Sequence, residues 1–278
     1  LHPQPEMEVW LSRAYNKWMQ EKLLAADDRI KFLAVLPFNT PEHRAFAAIP
    51  PTWKVYDTDD IGPYGPLALF SVPTDGADIA VKCWKENVEA TFLVRPYFFS
   101  RDGVDIAPVA GDHVIDAGAC FGDTALMFAH AVGASGHVYT FDPLPRHFSI
   151  MQENFAMNPP LAARITAFDV GLSDEDHDGC GQQAVDGVIN PGATVFGWDV
   201  TTRRIDDLAA SGALARVDFI KMDIEGSELP ALRGAEQVIR RWKPKLAISL
   251  YHRPNDFFTI PLWIDSLGCG YRFYLDQY

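Results

Sequence analysis

The feature that most constrains the fold is the run Val114–Thr124, where an apolar stretch enters a glycine-rich turn and then a helical pattern. His113–Ala117 has the length and composition of a short buried strand, and Asp123–Val132 has the apolar spacing of a helix. Gly118 allows the backbone to approach a ligand closely, and Gly122 permits tight packing between strand and helix. The run therefore predicts the first βα unit of a parallel sheet, with a ligand site at its turn.

Strand and helix patterns continue to alternate after this unit, as in consecutive βαβ units. The further predicted strands are Val138–Phe141, Arg164–Val170, Val217–Met222, Lys245–Tyr251 and Tyr271–Leu275. The further predicted helices are Pro145–Asn158, Ile205–Ala210 and Pro261–Leu267. We therefore predict an α/β fold with a Rossmann-like, doubly wound and mostly parallel sheet.

The first third of the chain has a different pattern, so we predict an accessory region over residues 1–95 and a main domain over 96–278. Residues 1–36 have loosely helical spacing and predict an arm that packs on the main domain or on a partner subunit, which would give a homo-oligomer. The following stretch is rich in proline and glycine and contains three predicted strands, Leu67–Val72, Asp78–Cys83 and Ala90–Val94.

Charge and cysteine content narrow the class of partner. The net charge is −13, and basic residues occur at most in pairs, so no cationic stripe is present for nucleic acid or an anionic membrane. The four cysteines are far apart, which argues against a disulfide framework or a zinc site and favours a cytoplasmic protein. No apolar run has the ~18–20 residues of a membrane span, and no signal-peptide pattern is seen. A small or neutral molecule is the partner that we predict.

Carboxylates end three predicted strands on the side where an open α/β sheet binds ligands. Asp116 suits a ligand with an ammonium group better than a pyrophosphate, which helix N–H groups normally bind. Asp142 is placed to accept the ribose hydroxyls of an adenosine, although it could equally be a helix N-terminal charge. Asp169 ends the third strand, where an adenine would lie, and is also consistent with a solvent-facing loop.

A second polar group follows the predicted strand Val217–Met222. Asp223, Glu225 and Glu228 stand close together after it, beside Lys221, and His252 follows the next strand. A histidine in the same crevice as Asp223 is a candidate general base because its pKa can lie near neutrality. Hard oxygen ligands suit Mg²⁺, but the spacing of Asp223 and Glu225 does not require an ion, and we predict no metal site.

Together these motifs resemble the FkbM family of methyltransferases. The matching segments, in the family's order, are Val114–Thr124, Val138–Pro143, Val170–Asp174, Thr201–Leu208, Val217–Glu228 and Ile248–Pro254. The resemblance covers roughly residues 95–278 and implies the class I methyltransferase fold with S-adenosylmethionine as cofactor. It implies O-methylation of a hydroxyl on a sugar or polyketide-type natural product.

The resemblance also assigns roles to residues. Asp116, Gly118 and Gly122 would hold the methionine part of the cofactor, Asp142 the ribose, and Asp169 the adenine side. The predicted cofactor set is completed by Ala119, Asp123, Thr124 and Pro143. For catalysis, we predict that His252 or Asp223 takes the acceptor proton, while Glu225 and Lys221 orient the acceptor.

The chain departs from the family pattern in two ways. Asp142 stands where a glutamate is commoner, which is compatible with ribose binding. A seven-stranded methyltransferase sheet needs a further strand after Tyr278, so we expect a C-terminal truncation or a strand supplied in another way.

We expect the loop Asp174–Asp199 to be either a mobile cover over the acceptor or an ordinary surface loop.

Two other functions remain compatible with parts of the pattern. A nicotinamide-dependent oxidoreductase would share the fold and Asp142, but the first turn reads DAGACFG and lacks the GxGxxG spacing. A non-catalytic methyltransferase-like module that binds a partner protein would keep cofactor affinity without turnover.

Overall fold

The computed structural model of the chain describes residues 49–50, 52–62, 65–101, 103–178, 182–185, 188–191, 200–253 and 255–274. The predicted helical arm, residues 1–36, lies outside the described residues, and so does the homo-oligomer contact predicted for it. Much of the predicted loop Asp174–Asp199 also lies outside them.

The strands and helices are numbered here along the described chain. The strands are β1 (Lys54–Gly62), β2 (Gly65–Val72), β3 (Ile79–Cys83), β4 (Phe99–Arg101), β5 (Val104–Ile106), β6 (His113–Ala117), β7 (His137–Phe141), β8 (Ile165–Phe168), β9 (Gly171–Leu172), β10 (Gln182–Val185), β11 (Val188–Pro191), β12 (Thr202–Arg203), β13 (Phe219–Met222) and β14 (Lys245–Ile248). The α-helices are α1 (Lys85–Val88), α2 (Asp123–Val132), α3 (Pro145–Met157), α4 (Pro159–Ala162), α5 (Ile205–Ala210), α6 (Glu228–Arg233), α7 (Glu236–Trp242) and α8 (Asp256–Ser266). A π-helical segment, Glu89–Val94, follows α1 directly.

The central sheet has five strands in the order β14-β13-β6-β7-β8, and every neighbouring pair is parallel. Adjacent residues of a strand point to opposite faces, so Val114 joins one hydrophobic core and Ile115 the other. The first core includes Phe128 of α2, and the second includes Ile239 of α7. Helices therefore cover both faces, which confirms the predicted doubly wound α/β fold. The strand order reverses between β6 and β13, which places a ligand crevice at the carboxyl ends of these two strands.

The accessory sheet, β1-β2-β3, is antiparallel and shares the first hydrophobic core with the main domain, through Phe70 and Val81. Two asparagines of the α3 region bind the backbone of β3. Asn154 accepts from Lys82 N at 2.7 Å and donates to Lys82 O at 2.9 Å. Asn158 accepts from Ala80 N at 3.0 Å and donates to Ala80 O at 2.6 Å. The outer edge of β3 is therefore paired with side-chain amides.

Two predicted strands are wrong. Ala90–Val94 is part of the π-helical segment, where Thr91 turns inward and is 4% exposed. Residues 271–273 of the predicted strand Tyr271–Leu275 have no strand structure, and Tyr274 forms at most a single bridge. The other predicted strands and helices of the main domain are present, several with ends shifted by a few residues.

None of the helices in the described part of the chain combines the length and the apolar composition that crossing a membrane demands.

Candidate active site

A cavity of about 420 Å³ opens at the carboxyl ends of β6, β7 and β13. This volume lies within the range of about 300–1,000 Å³ that is usual for small-molecule sites. Nine of the residues predicted from the sequence line it: Gly118, Ala119, Asp123, Thr124, Asp142, Pro143, Lys221, Asp223 and Glu225. The cavity thus joins the predicted cofactor elements to most of the predicted catalytic group.

The turn after β6 is shaped by its contact with the end of β13. Gly118 has φ +78°, and a Cβ atom on it would lie 1.9 Å from the carbonyl oxygen of Asp223. Only glycine fits this position, because the backbone is left-handed and the neighbouring chain is too close for a side chain. The close approach places the Gly118 turn directly beside Asp223 in the cavity wall.

Asp116 is fully buried and does not line the cavity. Its Oδ1 lies 3.1 Å from Lys221 Nζ, and its Oδ2 accepts a hydrogen bond from Thr124 Oγ1 at 2.7 Å. The ammonium group that Asp116 meets is therefore that of Lys221, which comes from the neighbouring position of β13. The prediction that Asp116 contacts the cofactor directly is not supported by this placement, because a protein cation already fills its surroundings.

Lys221 is 2% exposed, and its Nζ also donates to the carbonyls of Ala117 at 3.0 Å and Gly118 at 2.7 Å. Burial opposes protonation, but the carboxylates of Asp116 and Asp223 outweigh it and raise the pKa of Lys221. The Lys221 ammonium group therefore binds and stabilises the backbone of the glycine turn. This arrangement favours a structural role over the predicted role of orienting the acceptor.

Asp123 is the carboxylate of the first βα unit that faces the cavity. It accepts hydrogen bonds from Thr91 Oγ1 and, at 3.5 Å, from Asn87 Nδ2, both on the segment between β3 and β4. Burial raises the pKa of Asp123. The sequence analysis placed Thr91 on a strand, so this contact between the accessory region and the cofactor turn was not predicted.

Asp142 lines the cavity with its carboxylate held in one orientation. Its Oδ2 accepts from Cys120 N at 2.9 Å and its Oδ1 from Leu144 N at 3.0 Å, while His147 Nδ1 lies 3.3 Å from Oδ2. Each carboxylate oxygen has two lone pairs, so Oδ1, with one partner, retains capacity for a ribose hydroxyl, whereas Oδ2 already has two partners. Asp169, by contrast, is exposed and outside the cavity wall, which is formed there by residues 170–172.

A polar cluster surrounds Asp223 at the other end of the cavity. Two phenols donate to its carboxylate, Tyr97 to Oδ2 at 2.8 Å and Tyr251 to Oδ1 at 2.9 Å. Both tyrosines line the cavity and were missed by the sequence analysis. Tyr251 lies within the matching segment Ile248–Pro254 and could have been found there. Tyr97 had no signal, because it lies at the predicted start of the main domain, before the first matching segment.

His252 lies behind this cluster, with its side chain 8% exposed, and does not line the cavity. Its Nε2 is 3.3 Å from Asp223 Oδ1 and 3.5 Å from Glu225 Oε2, and its Nδ1 is 2.8 Å from Glu228 Oε1. Burial lowers the pKa of His252, but the Glu228, Asp223 and Glu225 carboxylates outweigh it, so the pKa is raised overall. The structure thus brings His252, Asp223 and Glu225 together as predicted, and adds Glu228.

Glu225 and Glu228 differ in their surroundings. Glu225 is about half exposed, and burial together with the nearby Asp223 and Glu228 carboxylates raises its pKa. Glu228 is fully buried at the start of α6 and accepts a hydrogen bond from Ile224 N at 2.8 Å. The sequence analysis grouped Glu228 with Asp223 and Glu225, and the structure also places it against His252.

Comparison with known proteins agrees with the resemblance of the motifs. The family model described as the methyltransferase FkbM domain matches residues 116–273, more than half of the chain. A protein named Methyltransferase 1 from Beauveria bassiana (strain ARSEF 2860) is 24% identical over 207 residues, which cover 66% of this chain and 82% of that protein.

Among solved structures, the methyltransferase FkbM from Methylobacillus flagellatus KT is 24% identical, with a TM-score of 0.46 over 66% of this chain. The match spans 49% of that chain, about half of its length. The Aeropyrum pernix fibrillarin, solved with natively bound S-adenosyl-L-methionine, is 13% identical, with a TM-score of 0.35 over 77% of this chain and 86% of that one. On the strength of the family model's match, the chain belongs to the FkbM methyltransferase domain family.

Proposed function

We propose that the protein is an S-adenosylmethionine-dependent O-methyltransferase that acts on a hydroxyl of a sugar or natural-product small molecule. The observation that carries the proposal is the single cavity lined by the Gly118 turn, by Asp142 and by the Asp223 cluster. A methyl donor and an acceptor oxygen must meet in one enclosed space. The cavity supports this proposal because it has the Asp142 carboxylate at one end and the oxygen-rich side chains around Asp223 at the other.

The cofactor would lie along the β6 and β7 ends of the cavity. The Asp142 carboxylate, oriented by the backbone of Cys120 and Leu144, would accept the ribose hydroxyls. Asp123 faces the cavity whereas Asp116 is paired with Lys221, so we expect Asp123 to meet the ammonium group of the methionine part. A cationic ligand would also compensate for the burial of the Asp123 carboxylate.

The acceptor would lie against Asp223, Glu225 and Tyr251. Methyl transfer is an in-line displacement in which the acceptor oxygen forms a bond to carbon, the carbon–sulfur bond breaks, and the hydroxyl proton leaves. The carboxylates and the tyrosine supply hydrogen-bond partners for a polyhydroxylated molecule. The net charge of −13 favours a neutral or cationic acceptor over a polyanion such as nucleic acid.

Calorimetric titration tests the cofactor. S-adenosylmethionine should bind, NAD⁺ should not, and Asp142→Ala should weaken the binding at least tenfold. Asp75→Ala is the matched control, because Asp75 is 90% exposed and pairs only with the surface His130 in the described contacts. Binding of NAD⁺ in place of S-adenosylmethionine, or equal binding by the Asp142 variant, would overturn the proposal.

Turnover is tested by following S-adenosylhomocysteine release with a panel of sugar and polyketide hydroxyls. His252→Ala should reduce kcat with one of these acceptors while the affinity for S-adenosylmethionine stays within about twofold, since His252 lies outside the cavity wall. Cofactor binding without turnover on any hydroxyl would instead identify a non-catalytic binding module.

A further inference from the structure

We propose that Asp223, Glu228 and His252 form a binding site for one divalent metal cation beside the acceptor end of the cavity. One potential ligand atom from each of the three residues lies within 4.8 Å of the other two. Carboxylate oxygens and imidazole nitrogens are the ligands that Mn²⁺ and related divalent cations use in proteins.

A buried carboxylate oxygen that lacks a hydrogen bond points to a ligand at this position. Glu228 is fully buried, and its Oε2 has no hydrogen-bond partner. His252 Nδ1, which is also buried, already has the Glu228 Oε1 atom as a neighbour at 2.8 Å. Buried polar atoms are rarely left unsatisfied in folded proteins, so the Oε2 atom of Glu228 indicates a ligand that the described side chains do not supply.

The distances between these groups match those of neighbouring ligands on one ion. Metal–oxygen and metal–nitrogen bonds of about 2.0–2.2 Å, set at right angles, place two ligand atoms about 3 Å apart. His252 Nδ1 and Glu228 Oε1 are 2.8 Å apart, and His252 Nε2 and Asp223 Oδ1 are 3.3 Å apart. The two distances involve different nitrogens of the same ring, and one ion binds only one of them. One carboxylate oxygen is therefore already at the required separation, and the other, within 4.8 Å, reaches the same ion by a side-chain rotation.

The net charge of Asp223, Glu228 and His252 also favours a bound cation. Two carboxylates and a neutral imidazole carry a charge of −2, which a divalent cation neutralises. Lys221 also interacts with the Asp223 carboxylate, but its Nζ makes direct contacts with Asp116 and two backbone carbonyls. Buried carboxylates of this kind are costly unless they are paired or coordinate a metal.

The role of the cation depends on the proposed function, whereas its binding does not. Asp223 lines the cavity, so a cation bound to it would place positive charge beside the acceptor hydroxyl and lower the pKa of that hydroxyl. The sequence analysis predicted no metal and assigned proton removal to His252 or Asp223. With an ion bound, both residues would act as ligands that orient and acidify the acceptor.

Mn²⁺ titration of the metal-free protein, followed by electron paramagnetic resonance, tests the site without an activity assay. We expect saturable binding of one Mn²⁺ per chain, competition by Mg²⁺, and at least tenfold weaker binding in Glu228→Gln and in His252→Ala. Glu175→Gln is the matched control, since Glu175 is 74% exposed. The Glu228 change keeps side-chain volume, and the His252 variant provides a second test if the buried change impairs folding.

Absence of bound Mn²⁺ at millimolar concentration, or binding by both variants as tight as in the parent protein, would overturn the metal site. Titration with S-adenosylmethionine in the presence of EDTA separates this failure from that of the proposed function. Cofactor binding without any Mn²⁺ site would reject the metal and leave the methyltransferase proposal standing. Mn²⁺ binding without cofactor binding would reject the methyltransferase proposal and leave the metal site standing.

Discussion

The buried pair of Lys221 and Asp116 gives the most quantitative prediction. Lys221→Met removes the ammonium group but keeps most of the side-chain volume, and it leaves the fully buried Asp116 carboxylate without its counter-charge. Breaking one side of a buried ion pair costs about 3–5 kcal/mol. The carbonyls of Ala117 and Gly118 also lose their donor, so we expect the upper part of this range.

This loss should be measurable by heat or chemical denaturation. At about 2–4 °C per kcal/mol for larger domains, a loss of about 4–5 kcal/mol should lower the Tm by roughly 8–20 °C. Lys85→Met is the matched control, because Lys85 is 62% exposed and forms an i,i+4 pair with Glu89 at 3.1 Å. Such an exposed pair contributes about 0.3–0.5 kcal/mol, so the control should be close to the parent protein.

A double-mutant cycle tests the cause of the effect. Asp116→Asn with Lys221→Met removes both charges, and the amide oxygen can still accept the hydrogen bond from Thr124. The double variant should therefore be more stable than Lys221→Met, with a coupling energy of about 1–3 kcal/mol. If Lys221→Met were as stable as the Lys85 control, or if the cycle showed no coupling, the structural role of Lys221 would be refuted.

Three further substitutions test two residues of the site and one residue that holds the accessory sheet. Asp142→Ala should abolish most S-adenosylmethionine binding in calorimetry without a comparable loss of stability; unchanged affinity would contradict the ribose assignment. Gly118→Ala should weaken cofactor binding at least tenfold, because the new Cβ and the Asp223 carbonyl would have to move apart by about 1 Å. Gly103→Ala is the control, because Gly103 has a similar φ of +75° but open space around it. The difference between the two variants therefore measures the steric effect at Gly118. Asn154→Ala should reduce the free energy of unfolding by about 3 kcal/mol, because the buried carbonyls of Lys82 and Phe121 lose their hydrogen-bond donor. A loss below 1 kcal/mol in urea denaturation would show that other contacts hold the accessory sheet.

Local sequence patterns predicted most of the main domain. β6, α2 and α5 have the predicted ends because an apolar run or a helical period begins and stops at residues with clear turn signals. Ala90–Val94 was predicted as a strand from its composition. It forms a helical segment in which Thr91 binds Asp123, a contact between distant parts of the chain that local composition does not contain.

The sequence predicted those residues of the candidate site that stand just after a strand, because a carboxylate at that place is visible in the local pattern. Asp142, Asp223 and Glu225 follow strands directly and reach the cavity as expected. The pairing of Asp116 with Lys221 depends on the register between β6 and β13, which no local pattern contains. Tyr97 was missed for a similar reason, because its role appears only when the segment between β3 and β4 folds over the crevice.

The two asparagines that bind the backbone of β3 have a consequence for the association of the accessory sheet. Asn154 and Asn158 are separated by four residues, a rise of about 6 Å along a helix. Ala80 and Lys82 are separated by two residues, about 6.8 Å along an antiparallel strand. One turn of helix therefore matches one repeat of the strand, and the side-chain amides take the place of a fourth strand.

This match stops the sheet from growing at β3. An unpaired strand edge is a template for pairing with another chain, and here the amides occupy the N–H and C=O groups of Ala80 and Lys82. It also fixes the register of β3 on α3. A slip of one residue would turn Ile79, Val81 and Cys83 out of the core and would break both amide pairs together.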